Sequence, residues 1–259
     1  MNPADIWERS VAEGARRVSR STSALVATGV VGGVDVMLGV TALTVVSGAV
    51  ATVAPGELAH VLGAAVFGIG FVFILLGRSE LFTENFLMPI AAASRRRASA
   101  SAVARLWAVT LVGNLLGLLL LAAILSRAGL VPPGALDAAG GLADTFAGRS
   151  LGVALLSAVV GGTTMTLMTW LAAAVDDAVA RIIVALLVGF LLAAPSLNHA
   201  VVGFGEMSFG VLAGTAQHAT WVDVAQNLPV AIVGNFVGGL FFVTLARAVQ
   251  AHGEPRAQQ

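Results

Sequence analysis

Two apolar stretches of this chain, residues 58–93 and 179–214, are each too long for one simple membrane crossing, and polar residues interrupt both. The first interruption runs from Gly77 through Arg78, Ser79, Glu80, Leu81, Phe82, Thr83 and Glu84 to Asn85. The second is Pro195, Ser196, Leu197, Asn198 and His199. A bilayer core takes about 20 apolar residues in a helix. Broken helices are tolerated at that depth only where the freed backbone faces protein or a water-filled cavity. The pattern predicts two broken membrane helices whose ends meet and enclose one passage, with His199 in it.

The rest of the chain fits a membrane setting. It is 58% hydrophobic and 11% charged, with a mean hydropathy of +0.92, where a soluble domain carries about 25% charged residues. Zero formal net charge offers nothing to nucleic acid. Without cysteine there is no thiolate metal site and no thiol nucleophile. No His/Glu spacing suits a metal, and no Gly-x-Ser-x-Gly or phosphate loop occurs, so neither an enzyme nor a cofactor is expected. The first apolar run, from Thr22 to about Val53, exceeds a signal-peptide core and reads as a span that directs insertion.

Six stretches are long enough to cross: 23–50, 58–93, 104–126, 150–175, 179–214 and 224–247. They make one all-α membrane domain over residues 22–248. Residues 1–21 precede it as an amphipathic helix lying in the interface, with Ile6, Trp7, Val11 and Val18 on one face. Residues 249–259 follow as a tail. Asn2-Pro3-Ala4 has no second copy in an apolar segment and is no pore signature. Arginine supplies every basic residue. Arg9, Arg16, Arg17 and Arg20 precede span one; Arg95, Arg96, Arg97 and Arg105 separate spans two and three; Arg181 follows span four; Arg247 and Arg256 follow span six. Only Arg127 and Arg149 fall on the other side. The excess places both termini in the cytoplasm and the protein in the cytoplasmic membrane.

The halves resemble each other. Span three carries Gly113-Asn114-x-x-Gly117 and span six Gly234-Asn235-x-x-Gly238, each at a similar distance beyond a broken span. The repeats, 22–128 and 148–248, each hold three spans. Three is odd, so the second repeat enters the membrane inverted, with the substrate path where the broken helices meet. The glycines read first as close-packing positions.

His199 is the leading chemical candidate, because an ionisable group is costly in a membrane and imidazole titrates near neutral pH. His60, His218 and His252 lie near span ends or in the tail. Thr83 is placed to hydrogen-bond His199 and fix its tautomer. The amides of the two restarting helices would point outward unsatisfied and make an anion-friendly site. Arg78, Glu80 and Glu84 read as a self-neutralising loop cluster, with Asp35 as a partner for Arg78 or a helix-packing hydrogen bond. Asp176 and Asp177 read as solvated.

These motifs together resemble the formate/nitrite transporter family over roughly residues 20–248. Residues 80–83 match its Glu-Leu-Phe-Thr loop, His199 its central histidine, and residues 113–114 and 234–235 its Gly-Asn motifs. The resemblance implies an aquaporin-like fold of six transmembrane helices in two inverted repeats, with helices 2 and 5 broken. It implies a homopentamer in the lipid bilayer, with a pore for small monovalent anions in each protomer. It carries His199, Thr83 and Asn235 over as pore residues and Arg181 as the basic residue before the fifth helix. Apolar constrictions would come from Leu81, Phe82, Phe67, Phe71 and Leu192. Two departures stand out: Asn198 replaces a common Glu before the histidine, and Arg78 with Glu84 adds charge to the loop.

The expected function is proton-linked passage of weak-acid anions, with His199 as proton donor. Two rivals use the same residues: a channel for small neutral solutes, and a closed scaffold or sensor plugged by Arg78 and Glu80 beside His199.

Overall fold

The computed structural model describes residues 1–127 and 129–253. Arg256, the end of the tail and residue 128 at the expected repeat boundary lie outside them. Ten helices organise the described residues. The first half holds α1 (Pro3–Val18), α2 (Thr22–Val50), α3 (Gly56–Gly77), α4 (Met88–Ser94) and α5 (Ala100–Leu125). The second holds α6 (Pro133–Ala147), α7 (Leu151–Ala174), α8 (Ala178–Ala193), α9 (Val202–Ala213) and α10 (Trp221–Gly253).

Helix starts follow from side-chain caps that satisfy free amides. Asn2 and Asp5 form a reciprocal capping box on α1 with Pro3 in its first turn, so the Asn-Pro-Ala triplet is a helix start. Ser21, Ser99, Ser150 and Asp177 cap α2, α5, α7 and α8 by the same bond, and Thr220 with Asp223 forms a second box on α10.

Five helices are long and apolar enough to cross a membrane: α2, α3, α5, α7 and α10. The fifth span of the chain is divided, α8 leading to the break and α9 away from it. The second span is divided too. α3 ends at Arg78, a 3₁₀ turn covers Phe82–Phe86, and α4 completes it. The architecture is the expected one, six transmembrane helices in two inverted repeats with the second and fifth broken.

Glycine sets the closeness of packing. α2 crosses α5 where a Cβ on Gly33 would lie 2.0 Å from the Asn114 carbonyl oxygen and one on Gly117 2.0 Å from that of Val30. α7 crosses α10 with the same design. A Cβ on Gly162 would lie 2.2 Å from the Asn235 oxygen, and one on Gly238 1.9 Å from that of Val159. The two broken spans touch at Gly68 and Gly189, where a Cβ on Gly189 would lie 2.4 Å from the Gly68 Cα. The shared core beneath holds Val36, Met37, Phe67, Phe71, Leu81, Phe82, Leu192 and Phe209.

Two readings need correction. The apolar face of α1 does not meet lipid. Ile6, Trp7 and Val11 are buried against Leu87, Ala91, Trp170 and Ala251, so this helix seals the end of the bundle. Its counterpart α6, packed on α9 as α1 packs on α4, falls between the two expected repeats, where no helix was placed. α6 is Gly- and Ala-rich and only 15 residues long, which hid it from a search for spans. The final helix also continues to Gly253, into the expected tail.

Gly162→Ala should lower stability by about 1–3 kcal/mol, because the obstructing atom is backbone and cannot rotate away. Gly141→Ala, with nothing within 4 Å, should be neutral or stabilising. Thermal unfolding of the detergent-solubilised variants checks both.

Candidate functional site

The two breaks are held by one arrangement used twice. Asn114 on α5 donates from Nδ2 to the carbonyls of Gly29 and Glu80, both at 2.8 Å, and its Oδ1 accepts the Phe82 amide at 2.9 Å. Asn235 on α10 donates from Nδ2 to the carbonyls of Ala158 (2.7 Å) and Asn198 (3.0 Å), and its Oδ1 accepts the Ala200 amide at 2.9 Å. Carboxamide is the one neutral side-chain group that both donates twice and accepts. It replaces what the broken helix lost, at a depth where a bare backbone group is costly. Asn235 is fully buried, and its amide shapes the break rather than offering itself to a solute. The correspondence sets Glu80 against Asn198 and Leu81 against His199.

His199 sits where the breaks meet, fully buried. Its Nε2 lies 2.6 Å from Thr83 Oγ1, and its Nδ1 accepts the Val202 amide at 3.1 Å. An amide N–H can only donate. Nδ1 is therefore bare, the single ring proton is on Nε2, and Nε2–H donates to Thr83. The Thr83 hydroxyl hydrogen is left for another acceptor. The amides expected to stand free are largely taken: those of Phe82 and Ala200 by the two asparagines, Glu84 by the Leu81 carbonyl, Val202 by the imidazole and Gly203 by the His199 carbonyl. The polar edge offered here is the Thr83–His199 pair rather than a nest of amides.

Asn198 turns away from the ring into a reciprocal amide pair with Asn227 (2.8 and 3.0 Å), while its own N–H donates to Ser157 Oγ at 3.0 Å. Asn227 and Ser157 were not singled out in the sequence. An Asn eight residues before Asn235 on one helix was the available signal.

The loop carboxylates find other partners than expected. Arg17 of α1 donates to Glu80 and Asn85, both at 3.1 Å, and lies 3.6 Å from Glu84; Arg20 pairs with the other Glu80 oxygen. Glu80 is 1% exposed, so these are buried pairs that α1 carries in. The same helix holds Glu13 between Arg16 and Arg17. Burial would raise that carboxyl, but the two guanidiniums outweigh burial and bring it to about 2. Arg78 is exposed and pairs with none of Glu80, Glu84 and Asp35. Asp35 instead accepts the Ser79 hydroxyl at 2.7 Å, a bond from α2 to the loop of the break rather than between packed helices. No Arg78–Glu80 plug stands beside His199.

Phe67 and Phe71 stack edge to face at 5.1 Å, and Phe82 packs on Phe86 and Phe236. Phe67, Phe71, Leu81, Phe82, Phe86 and Leu192 are buried in the shared core with Phe236 packed against it, and Ala200, Val201 and Val202, next to His199 in the chain, belong to the same core. Arg181, on the first turn of α8, donates to the Val175 carbonyl at 3.3 Å and lines a cavity on the α1 side of the bundle. His60 bonds the carbonyls of Ala193 and Ala194, closing the end of α8. His252 sits edge-on to Trp7. Asp176 meets Arg9 at the surface. Glu206 of α9, buried at 2% exposure, was not singled out.

The family model for formate/nitrite transporters matches residues 4–249. A formate channel of Bacillus thuringiensis, BtFdhC, is 28% identical over 94% of this chain and 93% of its own length. Among solved structures, an FNT family ion channel superposes with a TM-score of 0.84 at 18% identity, covering 95% of this chain and 98% of that one. A pentameric formate channel with formate bound superposes at 0.71 and 19% identity, over 88% and 96%.

Asn235→Ala strands one amide and two carbonyls in the membrane interior, and Asn114→Ala strands the matching set. Each should cost about 1–3 kcal/mol per group left unpaired, and the two variants should lose similar stability. Detergent thermal unfolding reads this. A neutral result for either would show that its break holds without the carboxamide.

Proposed function

The chain belongs to the formate/nitrite transporter family, and from that premise we propose that it passes small monovalent weak-acid anions of the formate, nitrite or hydrosulfide kind together with a proton. It is a multi-pass membrane protein of a transporter and channel family, not an enzyme. On this reading it lies in the cytoplasmic membrane with both termini inside, as the arginine distribution favours. It assembles as a homopentamer with a pore in each protomer, a reading supported by the pentameric formate channel whose fold it shares.

The observation that carries the reading is the Thr83–His199 hydrogen bond, buried among apolar side chains. A bare carboxylate brought to such a place loses its hydration at a cost of up to tens of kcal/mol in the idealised limit. The neutral acid crosses far more cheaply. Arg181 draws anions to the cytoplasmic mouth as a guanidinium. Leu81, Phe82, Phe67, Phe71 and Leu192 keep the middle dry. The Thr83 hydroxyl meets the solute there, backed by Nε2–H of His199.

Proton donation by His199 then follows a defined order. The ring holds one proton, on Nε2, and giving it up alone would leave an imidazolate. A second proton must arrive at Nδ1 as the Val202 bond opens. The Nε2 proton can then pass through Thr83 to the anion, leaving a neutral ring. The Val202 bond also favours a second reading, in which His199 is a fixed hydrogen-bond donor and the anion takes its proton from water.

Flux of formate, nitrite, acetate, hydrosulfide and glycerol into proteoliposomes across a pH series tests this. Uptake of the acids should climb as external pH falls, while glycerol stays excluded. His199→Phe should abolish acid flux. His199→Asn should retain a donor to Thr83 but lose the pH dependence; unchanged proton-coupled flux in that variant would end the proton-donor role. Glycerol flux indifferent to pH would favour a neutral-solute channel.

A further inference from the structure

The cavity on the α1 side of the bundle has a volume of about 400 Å³. That is an order of magnitude more than the ~30 Å³ share of a water molecule, and far more than formate or nitrite needs. It falls within the ~300–1,000 Å³ of small-molecule sites. Its floor is apolar, with Ile74, Leu75 and Met88, and its walls carry six arginines against three glutamates, Glu13, Glu80 and Glu84.

The arginines divide by what they already hold. Arg17 and Arg20 are committed to the buried Glu80. Arg9 holds Asp176 in an exposed pair, a kind with little net worth that exchanges readily for a better anion. Arg16 is committed to Glu13, a part-buried carboxylate clamped between Arg16 and Arg17. Arg78 and Arg181 make no ion pair among the described residues. Arg78 also sits in the left-handed backbone region, at φ 56° and ψ 32°. That is the conformation of a helix C-cap, and it ends α3 so that the Arg78 side chain leaves the helix at the cavity. Glu84, buried and lining the same cavity, is answered by Arg17 at 3.6 Å and stays on the carboxylate side of the balance. What the cavity leaves unanswered is the two guanidiniums without an ion pair.

We infer that this cavity is a binding site for a small, multiply charged anion of the pyrophosphate or phosphate-ester class, held by Arg78 and Arg181 with Arg9. Guanidinium forks match phosphate oxygens in pairs, and a singly charged anion can engage only one or two of them. Such an occupant stands over the inner end of the proposed path and slows flux from the cytoplasmic side. That consequence rests on the transport reading; binding itself does not.

The test is titration calorimetry on the full chain in nanodiscs of neutral lipid, with inorganic pyrophosphate as the probe. One saturable site per protomer is expected, with affinity falling as salt rises. Arg78→Gln should weaken it at least tenfold, whereas Arg127→Gln, on the opposite side, should leave it unchanged. Sodium formate at matched ionic strength should give no saturable heat. Absence of saturable pyrophosphate binding overturns the inference, as does equal loss in both variants or equal binding of formate. Binding with unaltered proteoliposome flux overturns only the blocking step. Binding in a protein that carries no weak acid at all overturns the transport reading instead.

Discussion

A backbone amide or carbonyl cannot be left bare inside a bilayer, and a broken helix leaves several bare at once. Everything at the centre of this protein follows from how that debt is met. Asn114 and Asn235 each replace three lost contacts, and glycines at the crossings bring their helices near enough to reach. With those six bonds in place, irregular backbone can exist midway through the membrane and carry polar side chains to a point no regular helix would expose.

The two halves share that backbone device and differ in what they mount on it. Where the first repeat has Glu80, answered by Arg17 of α1 and Arg20 just beyond it, the second has Asn198, answered by Asn227. Where the first has Leu81, the second has His199. Charge is concentrated on the α1 side and the imidazole is set deeper, among apolar residues. α1 is therefore a structural part of the first break: it buries its own apolar face on the bundle and delivers the cations that Glu80 needs. Removing one partner of a buried pair costs far more than the pair contributes, which ties the loop to the helix.

The fold was largely legible because its signals are long: six apolar runs, two interruptions, and a Gly-Asn motif at matching positions in each half. The Thr83–His199 contact was legible too, since both stand at the breaks. Other features depend on three-dimensional neighbours. Nothing local in Arg17 or Arg20 says that they reach a carboxylate some sixty residues away, and nothing in Arg78 says that it turns from the two glutamates beside it. α6 escaped because fifteen residues rich in Gly and Ala carry no membrane-length signal. The expected free amides failed for a plainer reason. The side chains that enforce the breaks are also the acceptors that occupy those amides.

The account stands or falls on His199 lying against Thr83 with its proton on Nε2. Solid-state nitrogen NMR on histidine-labelled protein in lipid bilayers reads that directly, since each ring nitrogen reports whether it carries hydrogen. His199 should hold a bare Nδ1 and a strongly hydrogen-bonded Nε2–H, and of the four histidines only that ring should shift when Thr83 is replaced by Val. If no histidine responds to Thr83→Val, or the ring that responds is protonated on Nδ1 alone, the two breaks do not meet as described.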